Sequence, residues 1–262
     1  MIHHGMPGSG ALLSQAAVAA HDLGLGLVGV NRPGYGASSP AQPGFSTAIE
    51  DALFAADKCG LRQFAVLGVS GGAPFAAATA LAAPDRVTAI GIAAGLGPWR
   101  VIEPAEAWDP ADASAIDLAE SGQLADAQDQ LRDEARRQFT PLLELPDDDL
   151  AAACLPTRTE GEPAHDAAFR HRWATETREA LTSFEGIIYD NLTIGMRWSW
   201  QPEEIRQPTW LWYGAADTIV PVPHARWYAQ HISNSRLHLR PTDGHGQTVF
   251  GYWADMLEAL AS

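Results

Sequence analysis

The chain has 262 residues, 46% of them hydrophobic, with 17 Lys and Arg against 32 Asp and Glu, for a formal net charge of −15. That length buries a large core, as one domain or as one domain carrying an insertion. With Lys58 its only lysine and no basic cluster, the composition argues against nucleic acid as a partner. The lack of any long apolar run argues against a membrane span, and the first residues lack the charged-then-apolar order of a signal peptide. Cys59 and Cys154 are too few for a disulfide framework and lie in no metal-ligand spacing, as expected of free thiols in a reducing cytoplasm.

Met1 to Ser9 contains two histidines, then glycine and proline, and reads as a loop. A helical run follows from Ala11 to about Asp22. Leu25 to Val30 reads as a buried strand, and Asn31-Arg32-Pro33-Gly34-Tyr35-Gly36-Ala37-Ser38 is turn chemistry. Thr47 to Cys59 places Ile49, Leu53 and Phe54 at helical spacing, with Gly60 as a stop. Phe64 to Leu67 is a short apolar run of the kind buried on both faces of a parallel sheet. Ala73 to Leu81 is small or apolar with Pro74 near its start, which suits the first turn of a buried helix.

Between that strand and that helix lies Gly68-Val69-Ser70-Gly71-Gly72. A chain reversing direction in so few residues crowds its backbone, so glycines are needed at both flanks. The apex residue, Ser70, is then held strained with its side chain above the sheet, as a nucleophile would be. Val87 to Ala93 reads as the next strand. After Gly97 the rhythm changes to acid-rich helical segments around Ala113 to Ala119, Leu124 to Phe139, Asp147 to Cys154 and Ala167 to Ile188. It resumes with a strand at Thr209 to Tyr213, a helix at Pro223 to His231, a strand at Arg236 to Arg240 and a closing helix at Thr248 to Leu260. Alternating strands and helices with short loops predict an α/β fold with a parallel sheet. The segment from Pro98 to Pro208 reads as a helical insertion.

A serine hydroxyl needs a base, and the base needs an acid to fix its tautomer. In an α/β sheet such groups gather at the carboxyl ends of the strands. After the strand ending at Tyr213 comes Asp217, in a loop stiffened by Pro221; after the strand ending at Arg240 comes His245, between two glycines. Asp190 falls within the insertion and Asp243 lacks an adjoining strand end, so neither is chosen as the acid. The chain order Ser70, Asp217, His245 is nucleophile, acid, base. An oxyanion needs donors: the N–H of Gly71 directly follows the nucleophile, and the N–H of Met6 comes from the early glycine-proline loop. His3 and His4 have no third ligand placed nearby, so no metal and no cofactor are expected.

Taken together, His4-Gly5-Met6-Pro7-Gly8, the Asn31 to Ser38 loop, the Ser70 turn, the Asp217 loop and Gly244-His245 resemble the α/β-hydrolase superfamily. They look most like the capped branch that holds small esterases, prolyl aminopeptidases, epoxide hydrolases and haloalkane dehalogenases. The resemblance implies a mostly parallel sheet flanked by helices, with residues 1–97 and 209–262 as core and 98–208 as a helical cap. Ser70 stands where epoxide hydrolases and haloalkane dehalogenases have aspartate, which disfavours both activities. Asn31 stands where the loop usually opens with aspartate, in a structural role. The family has further strands before the His-Gly loop, so the N-terminal strands are expected to be missing from this sequence.

The expected activity is cleavage of a small carboxylic ester by a cytoplasmic serine hydrolase acting through an acyl-enzyme. A prolyl-type aminopeptidase, a carbon–carbon bond hydrolase and a non-catalytic ligand-binding module of the same fold are the alternatives. Val69, Trp99, Met196 and Trp198 are the expected lining of an apolar substrate pocket. The partner is a small-molecule substrate; monomer and homodimer are equally compatible with the sequence.

Overall fold

Side chains alternate along each central strand, and the sheet is covered on both sides as that alternation requires. Residues 1–10, 14–154 and 166–262 are described in the computed structural model of the chain. The strands are β1 (Ile2–His3), β2 (Gly29–Val30), β3 (Phe64–Val69), β4 (Val87–Ala93), β5 (Thr209–Gly214) and β6 (Ser235–Arg240). They form one sheet in the order β2-β1-β3-β4-β5-β6, every neighbouring pair being parallel. Val66, Ile90, Ile92, Leu211 and Tyr213 face a core shared with α2 (Phe45–Lys58), α3 (Ala73–Ala82) and α10 (Val222–His231). The alternate positions Leu67, Val69, Ala89, Ala93 and Trp212 face α1 (Ser14–Asp22), α11 (His245–Phe250) and α12 (Trp253–Ala261).

Between β4 and β5, among the described residues, the chain is helical: α4 (Trp99–Ile102), α5 (Pro110–Glu120), α6 (Leu124–Leu143), α7 (Asp147–Cys154), α8 (Ala167–Ala180) and α9 (Glu185–Gly195). Its apolar cluster of Ile116, Leu131, Leu181, Ile187, Ile188 and Leu192 packs against Met6. No helix among the described residues is long and apolar enough to cross a membrane.

Three elements differ from the sequence expectation. The Leu25 to Val30 strand shrinks to β2, because the Leu25 N–H donates to Ala20 O at 2.8 Å and caps α1 instead of joining the ladder. The single helix expected from Ala167 to Ile188 is two. The Thr182 hydroxyl takes up the carbonyls of Arg178 and Glu179 at 3.2 and 2.7 Å, satisfying the end of α8 locally. The closing helix is also two, with Gly251 ending α11, so His245 opens a short helix rather than standing in a loop. Of the helical run expected from Ala11, residues Ala11 to Leu13 lie outside the described residues. The strand leading into the His4 loop is present as two residues that pair on both sides, Ile2 with Gly29 and with Leu67.

Candidate active site

The turn from β3 into α3 has the crowding its glycines imply. A Cβ on Gly68 would come within 2.5 Å of the Ala73 Cα, and one on Gly72 would run into the carbonyl oxygens of His3 and His4. Ser70 at the apex has φ of 52°, the left-handed region that non-glycine residues enter only when the surroundings enforce it. Here α3 is seated on its far side with Pro74 in the first turn, and the Ser70 carbonyl accepts from Leu96 N–H at 3.0 Å.

Two later strand ends bring their side chains to this apex. His245 Nε2 lies 3.1 Å from Ser70 Oγ, and His245 Nδ1–H donates to Asp217 Oδ2 at 2.7 Å. The Asp217 side chain has no exposed surface. Its second oxygen accepts the N–H groups of Ile219 and Val220 at 2.8 and 2.9 Å, so the loop after β5 holds the carboxylate from behind. A neutral imidazole so held keeps its free nitrogen toward the hydroxyl and can take its proton. Asp243 is near but turned aside. Its carbonyl accepts Ala216 N–H at 3.0 Å, and its carboxylate lies 3.9 Å from Arg240 Nε.

The early loop closes over the same apex. A Cβ on Gly71 would lie 2.7 Å from Met6 Cβ and 3.5 Å from Met6 N, so the Met6 and Gly71 backbones meet beside Ser70. Gly71 is at the start of a helical turn, where N–H groups have no intrahelical acceptor. Behind this loop lies a buried group of polar side chains for which the sequence indicated no role. Arg32, 2% exposed, reaches Asp190, 0% exposed. Arg32 Nε donates to Oδ1 at 2.8 Å, and Nη2 donates to Oδ2 at 2.6 Å. The Tyr35 hydroxyl donates to the same Oδ2 at 2.8 Å. Burial raises the Asp190 carboxyl above its ordinary range, against the pull of Arg32. Burial works against the Arg32 charge too, yet Asp190 more than offsets it and the guanidinium is held up. Burial, then the Arg32 charge, holds His4 well below its ordinary value, and the same two effects bring His3 down to about 3.

A cavity of about 510 Å³ opens on Ser70 and His245 and is walled by Met6, Val69, Val249 and Phe250 from one side. From the helices between β4 and β5 come Leu131, Phe139, Leu142, Trp173, Leu181 and Asn191. Of the pocket residues expected from sequence, Val69 lines it and three do not. Trp99 packs edge-on to Trp108, with ring centroids 5.4 Å apart. Met196 packs in the apolar cluster of the inserted helices. Trp198 stacks on Trp200 at 4.6 Å and meets Phe45 and Trp227 edge-on, on the α2 and α10 side of the sheet. Each fills a seam between elements, so none is left to face the cavity. Trp173 and Trp253, which line it, look no different in sequence from the tryptophans that do not.

A family model described as alpha/beta hydrolase fold matches residues 1–251. No curated protein matches the chain in sequence. Among solved structures, an esterase (EaEST) from Exiguobacterium antarcticum superposes with a TM-score of 0.68 at 18% identity, covering 100% of this chain and 91% of that one. A bromoperoxidase from Bacillus anthracis gives 0.72 at 18% identity, covering 99% and 90%. A thermophilic esterase from Thermogutta terrifontis gives 0.66 at 17%, covering 100% and 89%. At such identities the likeness is one of fold.

Proposed function

From the premise that the chain belongs to the alpha/beta hydrolase fold family, we propose that it is a cofactor-independent serine hydrolase acting on a small carboxylic ester. The observation that carries this reading is the chain of contacts from Ser70 Oγ through His245 to Asp217, at 3.1 and 2.7 Å. Ser70 Oγ attacks the ester carbonyl carbon as His245 Nε2 takes its proton. The new C–O bond gives a tetrahedral intermediate whose oxyanion accepts the N–H groups of Gly71 and Met6. Collapse breaks the bond to the alcohol, which leaves with the proton from His245. Water, deprotonated by the same imidazole, then releases the acid and restores Ser70. Asp217 stabilises the imidazolium without itself taking the proton.

In this reading the helices between β4 and β5 act as a cap, and the cavity they share with the core accommodates the substrate. Asp112, Glu134 and Glu176 line it, and no Lys or Arg among the described residues does. Burial, reinforced by Asp109 and Glu134, raises Asp112 to about 6. Such a lining disfavours anionic acyl groups and suits neutral or cationic ones. That acidity is also what favours a second reading, an aminopeptidase that receives a substrate ammonium.

The test is incubation with a fluorophosphonate probe followed by intact-mass measurement. One adduct, absent from Ser70→Ala, is expected. An unreacted protein would point instead to a non-catalytic binding module. Hydrolysis of 4-nitrophenyl acetate beside proline and alanine 4-nitroanilides separates ester from peptide-type substrates.

A further inference from the structure

We propose that the buried Arg32–Asp190 pair orients the Gly5–Met6 peptide group, so that helix α9 sets the second donor of the oxyanion hole. This rests on the reading of the Met6 N–H as such a donor. The carbonyl of Gly5 and the N–H of Met6 belong to one peptide unit, which is planar and rigid. Whatever fixes the direction of Gly5 O therefore fixes the Met6 N–H, which points the opposite way. Two donors fix that oxygen: Arg32 Nη2 at 3.0 Å and His4 Nδ1 at 2.8 Å. Arg32 also donates from Nη1 to His4 O at 2.6 Å. Its own backbone N–H donates to His4 Nε2 at 3.2 Å, which leaves the ring proton on Nδ1, where Gly5 O needs it. Both of these bonds to Gly5 O thus depend on Arg32, one directly and one through the tautomer its backbone N–H selects.

Arg32 is in turn aimed by the insertion. Asp190 takes two of its N–H groups as a fork, a geometry only a guanidinium matches. The guanidinium lies over the Phe75 ring, 4.6 Å from its centroid. Helix α9 comes close enough because residue 186 is glycine: a Cβ there would lie 2.5 Å from the Tyr35 ring. A positive charge against Gly5 O also polarises the peptide so that its N–H becomes a stronger donor. Arg32 and Asp190 touch no reacting atom; they are positioning residues. A simple anchor for α9 would need the ion pair alone, whereas here the same guanidinium spends two donors on the carbonyls that precede Met6.

The experiment compares wild type with Arg32→Lys, Asp190→Asn and the milder Tyr35→Phe, which removes one hydrogen bond to Asp190. It reads kcat and KM on 4-nitrophenyl acetate, the rate of fluorophosphonate labelling, the ³¹P shift of the Ser70 adduct, and thermal melts. Loss of an aligned oxyanion donor lowers kcat by about 10²–10³. Arg32→Lys is expected to show that loss with KM changed less than about threefold, slower labelling and a displaced ³¹P resonance, since the phosphoryl oxygen occupies the hole. Asp190→Asn is expected between Arg32→Lys and wild type, and Tyr35→Phe is expected to stay folded and to lower kcat several-fold. Variants that melt lower yet keep wild-type kcat, labelling rate and ³¹P shift would make the pair an anchor only and overturn the inference. A wild-type protein that forms no adduct overturns the hydrolase reading first, and the inference with it.

Discussion

Asp217 divides its carboxylate, one oxygen receiving the Nδ1–H of His245 and the other the N–H groups of Ile219 and Val220. The carboxylate cannot turn without giving up its own loop. In Asp217→Asn the amide oxygen must stay with those two donors, which presents the NH₂ group to His245 Nδ1. The imidazole then carries its proton on Nε2, facing Ser70, and can no longer accept one. The variant is expected to fold, to label slowly at Ser70 and to lose about 10⁴ in turnover, whereas Ser70→Ala loses both labelling and turnover. Asp243→Asn keeps the carbonyl that holds Ala216 and is expected to lose far less. Turnover on an activated short-chain ester, with unfolding curves for each variant, checks the comparison; a crippled Asp243→Asn beside a healthy Asp217→Asn would reassign the acid.

Chain-length preference is expected to separate the tryptophans that line the cavity from those that fill seams. Trp173→Ala opens the cavity wall and is expected to move the preferred 4-nitrophenyl ester toward longer acyl chains. Trp198→Ala, at a stacked and buried position, is expected to lower stability by about 3–5 kcal/mol and leave the preference in place. A panel of acetate to decanoate esters, with melting curves, distinguishes the two.

Acid is expected to destabilise the protein through its buried histidines. His3 has a value near 3 in the fold, against 6.5 as its ordinary value, and His4 is also held well below 6.5. Between those limits the unfolded chain binds more protons, so their contribution is complete above about pH 6.5 and falls as the pH drops through that range. Each contributes up to about 1.4 kcal/mol per pH unit. His3 Nε2 meets Thr79 Oγ1 at 3.2 Å, and that hydroxyl already donates to Phe75 O at 2.8 Å, so His3 is the donor. His3→Gln offers an untitratable donor instead. Urea unfolding at pH 4, 5 and 6 is expected to show a slope shallower by about 1.4 kcal/mol per unit in that variant; an unchanged slope would remove His3 from the account.

The turn at Ser70 tolerates no side chain at Gly72, where the obstacles are backbone carbonyls of His3 and His4 rather than movable side-chain ends. Gly72→Ala is expected to destabilise by about 3 kcal/mol or more and to weaken turnover in whatever protein remains folded, because the displaced carbonyl of His4 is one that Arg32 holds. Chemical unfolding and turnover per folded molecule measure the two effects.

The local part of this architecture was readable from sequence. Gly68, Ser70 and Gly72 announce their turn within five residues, and Asp217 and His245 each follow a recognisable strand at the end where such groups gather. Asp190 was not readable as a partner for Arg32, because nothing in a linear pattern joins positions 158 residues apart. A signal did exist: Gly186 to Gly195 is mostly apolar with Asp190 as its one charge, and a mostly apolar helix is buried, so that aspartate needed a buried partner. The break between α8 and α9 leaves no clear mark in the sequence, because Thr182 and Ser183 suit a surface helix as well as a helix end. The pocket lining is hidden for a similar reason, since aromatic residues that pack and aromatic residues that line a cavity share one composition.

The pairing of β4 with β5, Ala93 beside Trp212, closes a long loop of chain that carries α4 to α9. The entropy of closing a flexible loop grows only logarithmically with its length, so halving such a loop changes it by about 0.6 kcal/mol. By this entropy alone the sheet is nearly indifferent to how many helices hang between those strands, although α5 and α6 also cover α9 through Ile116 and Leu131. Helix α9 is the exception. Any replacement that omits a carboxylate at position 190 leaves a buried guanidinium uncompensated, a loss of about 3–5 kcal/mol, so the freedom to remodel this enclosure stops at its last helix.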